Sequence, residues 1–424
     1  MPDNSPQATA ATRRNVSLCL AGDAIWGLHA GLVAPATVLV LLLKEYGASP
    51  KMIGSLVSIE TGSMLLPQVL GIYIFSSRKS RKRDLLAWHF AAIIPFLFVA
   101  ALICFFADRL PATFVRWSVL GSFACFTFAI GVGLAAWTDW WASLFERNIL
   151  GTVMGLAVGL GAVGGALGSV IAGGVINASQ STNAFALLYL AAGSIAIVSI
   201  FMYVFVSDPA AQREETAKRL NRSELLGRFK KSLADRNFRA FLVGRLLASF
   251  GFCFIPFVAI YYNSPEGGGL SKSTLVSFGA GMMAGSTIGN FILGRLGDKR
   301  GHRASLVTAA SVQVATLLVL LLSSGKASCL AVYLGAGFCT AAGFVSHYNM
   351  LIETCPHDHR FAHITAGNLV VGLGMVLMPL AIGTFAEYFG LRILFAGSLA
   401  LSVAALVWLI FRVKEPRQHL NFPE

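Results

Sequence analysis

Charge is scarce in this chain: Asp, Glu, Lys and Arg make up 12% of its 424 residues, while 56% are hydrophobic. Together with a mean hydropathy of +0.70, that scarcity excludes an ordinary soluble protein and leaves a polytopic membrane chain. Acid is scarcer than base, 20 residues against 33, for a net charge of +13. In a membrane protein the placement of the bases matters more than their sum, so no nucleic-acid partner is expected. Cysteine is also sparse. The seven form no Cys-x-x-Cys pair and most fall in apolar runs, which excludes a disulfide framework and reads as small packing residues. Other chemistry is missing altogether: a glycine loop ending in Lys-Ser or Lys-Thr, a Ser/His/Asp arrangement at motif spacing, and a soluble domain large enough for catalysis. No enzyme activity and no cofactor are expected. The polar residues 1–15 lack a cleavable signal, so the first apolar run is expected to be retained.

Apolar runs are what the chain has in abundance. A bilayer core of about 30 Å needs about 20 apolar residues per helix, and twelve runs qualify, at 16–43, 51–75, 84–107, 112–142, 148–176, 184–206, 238–262, 272–295, 303–323, 328–353, 361–387 and 391–412. They are numbered helix 1 to helix 12 in that order. An even count puts both termini on one side. Most Lys and Arg lie in the N-terminus, the even-numbered loops and the C-terminus, which makes that side cytoplasmic. The expected domains are a tail (1–15), a six-helix half (16–206), a linker (207–237), a second six-helix half (238–412) and a tail (413–424). The basic linker reads as a topogenic segment with amphipathic pieces on the anionic inner leaflet, so the lipid bilayer is one expected partner.

The halves repeat each other. Helix 1 has Gly22-Asp23 and then Pro35, and helix 7 has Gly244-Arg245 and then Pro256; Gly47 and Gly71 bracket helix 2 as Gly269 and Gly294 bracket helix 8. Between helices 8 and 9 stands Gly294-Arg-Leu-Gly297-Asp298-Lys-Arg-Gly301-His-Arg303, which reads as a tight cytoplasmic turn. Its spacing resembles the signature loop of the major facilitator superfamily, and the resemblance extends over essentially the whole chain. It implies an all-α integral membrane protein with twelve transmembrane helices in two pseudo-symmetric halves. It also implies a transporter working by alternating access, with helices 1, 4, 7 and 10 lining a central cavity and with gating by Gly294, Gly297, Asp298, Gly301 and Arg303. In the superfamily the aspartate acts against a helix N-terminus of the opposite half, for Asp298 the start of helix 5. The first-half loop keeps bases from Arg78 to Arg83 but no aspartate, so there the expected partners are Glu353 or Asp358.

Asp23 and Arg245 are the leading site candidates, because a charge at the centre of a membrane helix costs about 2.5–3.5 kcal/mol and needs a partner or a wet cavity. Asp23 shares its helix face with Trp26 and Gly27, and Arg245 with Ser249 and Phe252. Arg245 is expected to grip a carboxylate or phosphate, with snorkelling to the headgroups as the structural alternative. Glu60, midway along helix 2, is read either as a proton carrier, like Asp23, or as a neutral acid bonded to another helix. His347 and Asn349 near the end of helix 10 are read as substrate ligands or an interfacial cap, and Trp137 to Trp141 as an aromatic belt with a solvated acid or as an aromatic substrate cage. The stretch Cys355 to His363 lacks paired zinc spacing, so no metal is expected. Gly155, Gly159, Gly164 and Gly168 on helix 5, and Gly281, Gly285 and Gly289 on helix 8, leave stripes for close backbone approach. The resemblance implies that these two helices pack against each other across the halves. The helix 5 glycines also resemble the signature of proton-driven drug antiporters, with Ser169 in place of a proline. The expected function is secondary transport of a small organic anion or zwitterion, coupled to protons. A proton-driven exporter and a non-transporting sensor of the same fold are the alternatives, and a bacterial inner membrane is the expected location.

Overall fold

The computed structural model describes residues 6–75, 81–145, 147–179, 183–208, 227, 230–354 and 360–416. The chain is all-helical, with no strand among the described residues. Among the described residues ten helices are long and apolar enough to cross a membrane, and two further helices complete the series of twelve: Pro50–Leu65 with Gln68–Phe75, and Gly325–Glu353. Chains of exposed apolar side chains, such as Val158, Val163, Leu167 and Val170 on helix 5, are at home only against lipid.

Proline and π-turns break the helices that carry the site. Helix 1 runs Pro6–Leu32, opens at Val33–Ala34, passes through a π-turn at Pro35–Leu39 and ends as Val40–Glu45. Its repeat partner, helix 7, breaks in the same place: Arg236–Phe252, then Ile255–Asn263 with Pro256 in the first turn. Helix 2 is interrupted at Leu66–Pro67, where the missing proline N–H ends the first segment. Helix 3 consists of Arg81–Trp88, a π-turn at His89–Ile93, and Pro95–Phe105. The remaining helices are Ala112–Ser143, Arg147–Ala178, Asn183–Val204, Lys272–Arg300, His302–Leu322, Arg360–Phe389 and Leu391–Phe411, which are helices 4, 5, 6, 8, 9, 11 and 12. Helix 1 therefore starts at Pro6, well before residue 16. The side chain of its Asn15 donates to Ser207 O and accepts from Ser207 N, both at 2.8 Å.

The contacts divide the chain into two compact units. The first holds 1–48, 59–213 and 271–280, and the second holds 49–58, 214–270 and 281–424. In the first unit, helix 1 lies backbone to backbone on helix 5. A Cβ on Gly27 or Gly31 would strike the carbonyls of Gly161 and Gly165, and one on Gly164 or Gly168 would strike those of Ala24 and Leu28. Within the second unit, a Cβ on Gly285 would strike Leu334 O, and those on Gly281 and Gly289 would press on Leu330 and Phe338 of helix 10. The two stripes thus close on helix 1 and helix 10. Helix 5 meets helix 8 at a different glycine, Gly173, whose carbonyl accepts from Ser273 Oγ at 2.7 Å. A four-residue glycine stripe says that some backbone approaches, and leaves open whose. Gly155 and Gly159 meet nothing within 4 Å. The second unit has its own apolar core, in which Phe238, Phe241, Leu293, Ala341 and Met350 are completely buried.

Candidate functional site

Helix 1 supplies the acid of the first unit. Asp23 Oδ1 accepts a 2.6 Å hydrogen bond from Tyr203 Oη on helix 6, and Gly22 is what admits that tyrosine, since a Cβ there would lie 2.5 Å from the ring. Ser199, one turn earlier on helix 6, donates to Gly22 O at 2.8 Å. The Gly22-Asp23 pair is thus a docking place for helix 6. Asp23 lines a cavity of about 180 Å³ with Trp26, His89, Trp137, Ser199 and Tyr203. The rings touch in series: Trp26 meets His89 at 5.9 Å, His89 meets Trp137 at 4.7 Å, and Trp137 meets Tyr203 edge-on at 4.9 Å. Such offset and edge-on arrangements suit the ring quadrupoles.

A second chamber of about 190 Å³ opens on the other side of Trp26 and shares Ile130 with the first. Glu60 lines it, beside His29, Met64, Phe126 and Tyr189. His29 packs against Trp26 at 4.2 Å and bonds through Nδ1 to the Trp26 carbonyl. Gln68, on the face that carries Glu60, donates instead to Met64 O at 2.9 Å.

The aromatic belt expected at Trp137 to Trp141 is not what these residues form. Trp137 lines the Asp23 cavity, and Trp140 and Trp141 are 1% and 5% exposed. Three tryptophans near a helix end look like headgroup anchors in a sequence, but helix 4 turns Trp137 and Trp140 onto Tyr203, while Trp141 packs on Phe145. His29 and His89 were missed. Each is a histidine inside an apolar run, and that was a signal of the same kind as the intramembrane charges.

In the second unit, Arg245 projects from helix 7 toward helix 10, where a Cβ on Gly343 would lie 3.8 Å from its Nη2. Its Nε is buried without a hydrogen-bond partner among the described residues. Ser249 is buried, and Phe252 meets Phe254 at 5.9 Å. His347 is not at an interface. It is 6% exposed, stacks on Phe241 of helix 7 at 5.6 Å and reaches Asn368 Oδ1 of helix 11 at 3.2 Å. Asn349 is half-buried two residues on.

The signature stretch is mostly helix. Helix 8 continues through Gly294, Gly297 and the exposed Asp298 to Arg300, and the chain reverses only at Gly301, whose φ is +87°. Gly297 has a packing duty, since a Cβ there would strike the His302 ring. At Gly301 a Cβ would strike the carboxylate of Glu415, which is 6% exposed. Glu415 Oε2 accepts from Arg303 N at 3.1 Å, a negative group at the start of helix 9. The Arg303 guanidinium donates to Leu409 O at 3.3 Å and Ile410 O at 2.6 Å, satisfying carbonyls at the end of helix 12. Glu353 has His302 Nε2 3.9 Å from its Oε1. Arg78 and Asp358 lie outside the described residues, as do Cys355 to His359. His363 packs on Phe238 at 3.8 Å, and no metal-ligand cluster occurs among the described residues.

Solved structures share this fold at low identity. A mutant of the nucleoside transporter NupG superimposes with a TM-score of 0.71 at 13% identity, over 95% of this chain and 100% of its own. A D-xylose-proton symporter gives 0.67 at 15% over 95% and 98%, and a bacterial homologue of the human lysosomal transporter Spinster gives 0.66 at 12% over 96% and 97%. No curated protein matches the sequence. The family model of the Major Facilitator Superfamily matches residues 24–325 and 268–424. With that match added to twelve helices and two broken repeat partners, this chain, a multi-pass membrane transporter and not an enzyme, belongs to the major facilitator superfamily.

Proposed function

We propose that the chain moves a small organic anion or zwitterion by alternating access, with protons as the coupling ion and Asp23 and Glu60 as their carriers. The observation that carries the solute's charge is Arg245, held out of water with an Nε that no described residue satisfies. A buried donor left open is costly, and a guanidinium is best completed by the fork of a carboxylate or phosphate. Proton coupling is supported by two carboxylates that line chambers with no lysine or arginine in their walls. The charge bias of the loops supports a bacterial inner membrane with both termini cytoplasmic. Nucleosides and D-xylose belong to the neighbours' names, and at 13% and 15% identity those neighbours transmit the fold and not the cargo. Gating by Asp298 stays part of the proposal.

The test is thermal stabilisation of the purified protein across carboxylic acids, phosphates, amino acids and sugars, since a ligand of the folded state raises its midpoint by mass action. The best ligand is then tested for uptake into vesicles with an imposed pH gradient. Stabilisation by a carboxylate or phosphate that disappears in Arg245→Ala supports the proposal, and an unchanged response in that variant overturns it. An exporter is the second reading, favoured by the aromatic walls around Asp23. In cells it predicts lowered accumulation of the ligand.

A further inference from the structure

We infer that the Asp23 cavity is a binding site for an organic ammonium group. The inference goes beyond the reading above, which gives Asp23 a proton and leaves the rest of this cavity without a role. Three features of the cavity carry it. First, the wall offers one carboxylate and no lysine or arginine. Tyr203 donates to Oδ1, and no hydrogen bond from a described residue reaches Oδ2, so one oxygen is open to a ligand. Second, the rest of the wall is aromatic: Trp26, His89, Trp137 and Tyr203 form the linked series of rings described above. Ring faces attract a cation and also tolerate its methyl groups, so a carboxylate among such rings selects an ammonium over a neutral alcohol. Third, part of the polar capacity that would serve a sugar is already engaged: the Ser199 hydroxyl proton and one of the two His89 ring nitrogens. Ser199 donates to Gly22 O, and His89 Nδ1 bonds to Leu85 O at 2.8 Å. A cavity of about 180 Å³ holds an ammonium head and a short stem. A metal ion would want several oxygen or nitrogen ligands where this wall supplies one carboxylate.

Choline and n-butylammonium are the probes, because neither bears a carboxylate and so neither needs Arg245. Their dissociation constants are measured by intrinsic tryptophan fluorescence and checked by thermal shift. The uncharged alcohol in which carbon replaces the choline nitrogen is the control for shape, and D-xylose the control for a sugar site. The expected result is saturable binding of at least one ammonium, with the uncharged isostere at least tenfold weaker. The ammonium should bind at least tenfold more weakly to Asp23→Asn and several-fold more weakly to Trp137→Leu, and as in wild type to Gly155→Ala. If Asp23→Asn does not fold, Trp137→Leu and the isostere ratio decide. Equal binding of the isostere, binding of D-xylose alone, no saturable binding, or an Asp23→Asn that binds as wild type overturns the inference. Carboxylate probes test Arg245 and these probes test Asp23, so each reading can fail without the other.

Discussion

Asp23 and Arg245 occupy matching places in the two repeats, one on helix 1 ahead of Pro35 and one on helix 7 ahead of Pro256, yet their surroundings differ. Asp23 is met by a phenol from helix 6 and walled by rings. Arg245 packs against the bare backbone of Gly343 and keeps an open donor. The repeat therefore conserves the helix break and the presence of a charge, while each half builds its own setting. A proline fixes the break locally, but the setting depends on what the neighbouring helices bring.

The largest test of that contrast is Arg245→Ala. Removing one member of a buried, hydrogen-bonded charge pair costs about 2–5 kcal/mol, so carboxylate ligands should lose about 30-fold or more in affinity. Arg245→Lys should recover only part of this, because an ammonium lacks the fork. An alanine variant that binds carboxylates as well as wild type would leave Asp23 as the one functional charge of this repeat-related pair.

Next comes the scaffold of the Asp23 setting. Gly27→Ala should lower stability by about 1–3 kcal/mol, because its Cβ collides with backbone that cannot swing aside. Gly155→Ala, with nothing within 4 Å, should lie within about 0.5 kcal/mol of wild type. Thermal midpoints in detergent compare the two, and equal losses would refute the close packing of helices 1 and 5.

Tyr203→Phe keeps the ring and removes one hydrogen bond to the Asp23 carboxyl. A loss of about 1–2 kcal/mol in stability is expected, read by denaturation of the purified protein, and no loss would mean that Asp23 is not held from helix 6. The smallest effect is expected at the signature turn. Arg303→Lys gives up one of two carbonyl contacts at an exposed helix end and should cost about 0.5–1 kcal/mol. A larger loss, or one confined to transport, would show that this arginine does more than cap helix 12.

Much of the fold was legible because its signals are local. A run of about 20 apolar residues is a membrane helix wherever it lies, and proline breaks a helix through its own missing N–H. The site was legible only in part. Asp23, Glu60 and Arg245 stand out because charge is expensive in a membrane, whereas His29 and His89 carry a weaker signal of the same kind and Trp137 fits a lipid belt as well as a substrate cage. The signature stretch as a whole reads as a tight turn, and only Gly301 bends. Gly297 is a space for His302, a duty that depends on a residue five positions later and on the turn between them.

By itself, the sequence determined the membrane class, the twelve passes, the two-fold repeat and the superfamily, because each follows from composition or from spacing along the chain. The tertiary structure decided which backbone each glycine stripe meets, that Trp137 faces a cavity, that Tyr203 holds Asp23, and that Glu415 sits against Gly301. Those are contacts between segments far apart in the chain, and the direction of a side chain around a helix fixes its face without naming the partner on that face.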